Sequence, residues 1–92
     1  MSFPMGKLVC TAGVNDQMAD SEKLSAFVRE STGRHSRQDW GDLCDEDKRV
    51  NEVALIDESR LFSAYEHQDQ PKIWIITEAD RSVTTVLFPD EY

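Results

Sequence analysis

The sequence predicts an α+β domain in which a three-stranded C-terminal antiparallel meander, with a possible N-terminal edge strand, packs against two or three short helices. Two observations carry that expectation. Lys72-Ile73-Trp74-Ile75-Ile76-Thr77 and Ser82-Val83-Thr84-Thr85-Val86-Leu87-Phe88 are β-branched and aromatic runs on either side of the polar loop Glu78-Ala79-Asp80-Arg81, the pattern of a β-hairpin. Leu24, Phe27 and Val28 recur at i, i+3 and i+4, the spacing that puts three apolar side chains on one face of a helix.

The remaining elements follow in chain order. Met1 to Gly6 reads as a loose end, and Lys7-Leu8-Val9-Cys10-Thr11 as a short strand, stopped by Gly13, that fits either edge of the sheet. Asn15-Asp16 and Asp20-Ser21 offer oxygen-bearing N-caps, so one helix or two short ones begin there, with Val14 and Met18 extending the apolar cluster. Gly33 can supply the left-handed residue that ends a helix. A polar connector from Arg34 to Asp42 holds His35, Arg37, Gln38 and the isolated Trp40. A further helix starts at Asp42 or Cys44, where Asp45-Glu46-Asp47 places negative charge in the first turn, with Val50, Val53, Ala54 and Leu55 as its buried stripe. Asp57-Glu58-Ser59 ends it. Leu61 to Glu66 resumes as a strand up to a turn at Gln68-Asp69-Gln70-Pro71, with Pro71 outside the ladder because it donates no amide. With no repeat, low-complexity tract or linker, residues 1–92 read as a single domain.

Composition narrows the class of protein. At 39% apolar and 30% charged residues the chain is too hydrophobic for a disordered acidic tail. Eighteen acidic against ten basic residues give a net charge of -8, which argues against direct binding to DNA or RNA. Two cysteines make no disulfide scaffold, and no charged n-region precedes an apolar stretch, so a cytoplasmic location is expected. No apolar run approaches the length of a bilayer span, and no membrane association is expected.

Chemistry-bearing residues are sparse. Cys10, Cys44, His35 and His67 match no metal-ligand spacing, and nothing in the sequence aligns a nucleophile with a base. Asp42, Asp45, Glu46 and Asp47 lack the glycine and terminal glutamate of a calcium loop. The expectation is therefore no enzyme, and no catalytic, cofactor-binding or metal-binding residues. Trp74 shares a strand face with Ile76 and belongs in the core or half under a helix. Trp40 is either a staple holding the connector to the domain, the favoured reading, or an exposed anchor for a partner.

The run Arg60-Leu61-Phe62-Ser63-Ala64-Tyr65 and the segment from Lys72 to Tyr92, with Gly33-Arg34-His35, Gly41-Asp42-Leu43 and Asp45-Glu46-Asp47-Lys48 upstream, resemble a family of small plasmid and mobile-element proteins of unknown function. The resemblance covers roughly residues 33 to 92, with departures at Cys44 and at Leu55 to Ser59, where similar proteins tend to have an acidic residue and a Gly-rich turn. Some members are labelled restriction-modification subunits, but this chain lacks the Gly-rich cofactor loop and βαβ repeats of a methyltransferase, so that label does not transfer. What the resemblance implies is a mobile-element setting, and in that setting the leading reading is a small non-enzymatic interaction protein, monomer or homodimer, that acts by binding a host or element-encoded protein. Trp40, Asp42, Glu78, Asp80 and Arg81 are its expected contact residues. The alternative is an acidic DNA mimic that inhibits a host defence nuclease or restriction enzyme through carboxylates at Asp42 to Asp47 and Asp57 to Glu58.

Overall fold

The computed structural model describes residues 3–92, so the expected looseness of Met1 and Ser2 lies outside the described residues. The chain runs β1 (Lys7–Cys10), α1 (Ala12–Asp20), α2 (Glu22–Ser36), α3 (Asp45–Asp57), β2 (Leu61–His67), β3 (Gln70–Thr77), β4 (Val83–Leu87) and a final 3₁₀ turn, Pro89–Glu91. The four strands form one sheet in the order β1-β4-β3-β2. Strands β2, β3 and β4 are the antiparallel meander that the sequence predicts. β1 takes the β4 edge and runs parallel to it, with Cys10 opposite Val86.

Hydroxyl caps, rather than Asn15 or Asp16, set the helix starts. Thr11 accepts a bond from the Val14 amide and Ser21 from the Leu24 amide, and the extended backbone at Ser21 divides α1 from α2. Gly33 does not end α2. The buried face continues past it through Ser31, Thr32 and His35, and the left-handed residue that closes the helix is Gln38, φ 67°, followed by Asp39 N–H donating to Arg34 O. Val14, Leu24, Phe27 and Val28 then pack on Tyr65, Ile73, Ile75, Val86 and Phe88 to make the main core. Strand alternation turns Phe62, Trp74, Ile76 and Leu87 to the opposite face.

The third helix departs from its expected stripe. Asn51 and Ala54 face inward, whereas Val50 and Val53 are 61% and 58% exposed. The reason lies at the β2 edge. The Asn51 amide donates to Phe62 O and accepts from Phe62 N–H, replacing the strand that β2 lacks on that side. Aiming Asn51 inward leaves Val50, about 100° away round the helix, and Val53, about 200° away, facing outward. Further along the same edge Asp42 N–H donates to Ala64 O, and the Asp42 carboxylate accepts from Glu66 N–H. Gly41, φ 73°, permits this close approach, since a Cβ there would collide with the Ala64 carbonyl and the Tyr65 ring. One edge of the sheet is thereby closed to strand addition.

Two further expectations need correction. Pro71 lies inside β3, where the ladder shifts register between Tyr65 and His67, and the bulge removes the need for its missing N–H. Phe3 to Gly6 is held rather than loose: Phe3 stacks on Trp40 at 6.1 Å, and Met5 O accepts from the Thr84 hydroxyl.

Candidate functional site

Inside the fold, four polar side chains form a continuous chain across the helix–sheet interface. Thr84 donates to Met5 O at 2.7 Å, so its oxygen accepts from the Thr77 hydroxyl at 2.8 Å. The Thr77 oxygen therefore accepts from His35 Nε2–H at 2.9 Å, which leaves Nδ1 to accept from Ser63 Oγ at 2.5 Å. This order of donors requires a neutral imidazole protonated on Nε2. Phe3 and Trp40 stand edge-on to the ring at 5.3 and 5.7 Å. Burial pushes the His35 imidazole down to about 4. Ser63 and His35 are in hydrogen-bond contact yet both are 0% exposed, so nothing in solution reaches the pair.

Sequence reasoning missed this chain because His35 stands in a polar run. Its signal was present in two places. His35 continues the α2 face of Val28 and Ser31, and Ser63, Thr77 and Thr84 occupy inward positions of three paired strands.

The five expected contact residues are mostly occupied by their own fold. Trp40 is 4% exposed, packs with Ala54 and Leu61, and donates from Nε1 to Glu52 at 2.7 Å. It is the staple that holds the connector to the domain, not an exposed anchor. Asp42 is committed to the β2 edge, and Asp80 accepts from the amide and hydroxyl of Ser82, closing the hairpin loop. The Arg81 guanidinium donates to the carbonyls of Ala54, Ser59, Glu78 and Ala79. That ties the loop to the C-terminal turn of α3, where the helix dipole favours a cation. Glu78 alone of the five is exposed and free of a side-chain hydrogen bond among the described residues. Of the remaining candidates, Cys44 is exposed at the start of α3, Cys10 is half-buried with its thiol pushed up by burial, and His67 lies on the surface beside Phe27.

What the surface offers instead is apolar. Val50, Val53 and the 85% exposed Ile56 project from α3 at three-residue spacing. Val50, Val53 and Ala54 line a groove of about 480 Å³ whose rim carries Glu46, Arg49, Asp57 and Arg60. Arg60 leads from that groove to the outer face of the sheet. Its guanidinium lies over the Tyr92 ring at 5.6 Å and bonds the Tyr92 hydroxyl. Tyr92 meets Trp74 edge-on at 5.7 Å, and Trp74 meets Phe62 in the same way at 5.1 Å. The half-buried Phe62 and Trp74 and the exposed Tyr92 thus form an aromatic row on the face opposite α1 and α2.

Among the described residues no group of three or more His, Cys, Asp or Glu could hold a metal ion, and no helix is long and apolar enough to cross a membrane. Comparison with protein families, with curated proteins and with solved structures returned no match for this chain.

Proposed function

We propose that the chain is a small non-enzymatic interaction protein of a plasmid or other mobile element that binds a host or element-encoded protein through the outer face of its sheet. The observation that carries this reading is the row Phe62–Trp74–Tyr92 with Arg60 at its end. Aromatic and arginine side chains on a pre-formed surface are the groups that dominate binding energy at protein interfaces. The polar groups that resemble catalytic chemistry are enclosed, which favours docking over turnover. The mobile-element setting rests on the resemblance of residues 33 to 92, and the cytoplasmic setting on the exposed, unpaired Cys44. The DNA-mimic alternative draws less support from Asp42 and Asp57, which accept bonds within their own fold, and rests on Asp45, Glu46, Asp47 and Glu58.

Affinity capture of the tagged chain from its native host, at fixed salt, separates the readings. Trp74→Ala should reduce recovery of the wild-type partner at least tenfold, while Asp45→Lys leaves it unchanged. Release by duplex DNA together with loss in Asp45→Lys would instead establish the mimic, since screened charge would then carry the contact.

A further inference from the structure

We infer that β1 and α1 form an arm that two copies of this chain exchange: Ser21 turns helical, α1 and α2 merge into one helix from Ala12 to Ser36, and each arm docks on the other copy's sheet. The hinge is a single residue. Ser21, at φ -144° and ψ 112°, is all that separates α1 from α2. Its hydroxyl, capping the Leu24 amide, holds the break open. The side-chain pattern does not require that break. Val14, Met18, Ser21, Ser25, Val28, Thr32 and His35 alternate at four and three residues, and none of them is exposed. One inward stripe therefore runs straight through the hinge, as it does along an uninterrupted helix.

The occupant of the vacated seat is specified by the closed chain itself. Lys7 N–H donates to Ser82 O, Thr11 N–H donates to Val86 O, and Val14, Met18 and Cys10 pack on the main core. A second copy offers the same seat, so each of these contacts re-forms between chains. The straight helix adds bonds of its own, because the break leaves the last carbonyls of α1 and the first amides of α2 without helical partners. Asp20 also gains. It ends α1 in a turn with no basic residue, where the helix dipole disfavours a carboxylate, whereas in the merged helix it lies one turn before Lys23. The tether of the closed arm, the Ser21 cap and the charge of -8 on each copy oppose the exchange. The row Phe62–Trp74–Tyr92 contains no residue of the arm, so an exchanged dimer carries two such rows.

Gel filtration of chain refolded at about 1 mM, in about 0.15 M salt to screen the like charges, is the measurement. Wild type should elute as monomer and dimer, with the dimer outlasting dilution because each arm must leave its seat before the copies part. Ser21→Ala removes the cap and favours helix, and should raise the dimer-to-monomer ratio at least about tenfold. Glu22→Pro does the reverse. Proline suits the first position of α2 and the extended backbone before it, but it forbids a helical Ser21 and removes an amide that the merged helix needs. That variant should be monomeric, with an unchanged thermal melt. In a dimer refolded from mixed isotope-labelled and unlabelled chains, filtered NOEs should join β1 of one chain to β4 of the other, a contact that an unexchanged dimer does not make. A wild type monomeric at about 1 mM, a Ser21→Ala variant with no gain in dimer, a Glu22→Pro dimer of wild-type strength, or β1–β4 NOEs confined to single chains would overturn the inference.

Discussion

Lowering the pH from 7 to 5 should cost this fold about 2 kcal/mol through one side chain, His35. In the folded chain the imidazole stays neutral down to about 4, whereas the unfolded chain protonates it near the ordinary 6.5. Between those values the unfolded state holds the extra proton, so stability rises with pH through the window and is lost on acidification. Below about pH 4 the loss through this group levels off at roughly 3 kcal/mol, a large share of the 5–15 kcal/mol typical of a domain. The structural cause is burial: the ring is fully enclosed beside Phe3 and Trp40, where a charged imidazolium would lose its hydration. Asp39, held low by its bond from Arg34, gives the same sign of dependence, but in the carboxylate range below the window. Urea titrations at pH 7, 6 and 5 therefore isolate the histidine. Wild type should lose stability in step, while His35→Gln starts less stable and changes by less than about 0.5 kcal/mol over the same range. A folded-state NMR titration in which His35 protonates near 6.5, or a His35→Gln variant with the wild-type slope, would refute the reasoning.

Other expectations concern single positions. Phe27→Ala should destabilise by about 3–5 kcal/mol because the ring is only 7% exposed in the main core, whereas Val53→Ala should stay within about 0.5 kcal/mol, by thermal melting. Ser31→Ala should raise the melting point, since its buried hydroxyl has no hydrogen-bond partner among the described residues and its removal gains about 1 kcal/mol. Glu58 caps α3 in a left-handed conformation, φ 61°, so Glu58→Gly should gain about 0.5–1 kcal/mol in denaturant titrations. Cys44 starts the same helix without a side-chain bond, and Cys44→Ser should add a similar amount by supplying one.

The sheet was legible because its signals are local. β-branched runs punctuated by turn residues specify the meander, and the i, i+3, i+4 spacing of Leu24, Phe27 and Val28 specifies the helix that covers it. α3 was misread on orientation alone. Apolar content pointed Val50 and Val53 inward, but the open edge of β2 has backbone groups to satisfy, and Asn51 is the side chain that satisfies them. That need comes from sheet order, which a single sequence does not display. The same holds for the candidate contacts. Arg81 and Asp42 are charged residues in polar segments, and only the folded chain brings carbonyls of α3 to one and the Glu66 amide to the other. The aromatic row was half visible: alternation separated Trp74 from Ile73 and Ile75, but the meeting of Tyr92 with Trp74 depends on how the final turn folds back.

The parallel pairing of β1 with β4 has a consequence for the order in which the domain assembles. β2, β3 and β4 are consecutive and close short loops, whereas aligning Cys10 with Val86 closes a loop of most of the chain. Loop-closure entropy makes such distant pairings late events in folding. Until β1 arrives, Thr84 lacks the Met5 carbonyl and the imidazole of His35 lacks the cover of Phe3. The strap that seals the polar interior is thus the piece of backbone with the most entropy to regain on release. Amide exchange with solvent should begin at β1 and spread from there towards the histidine.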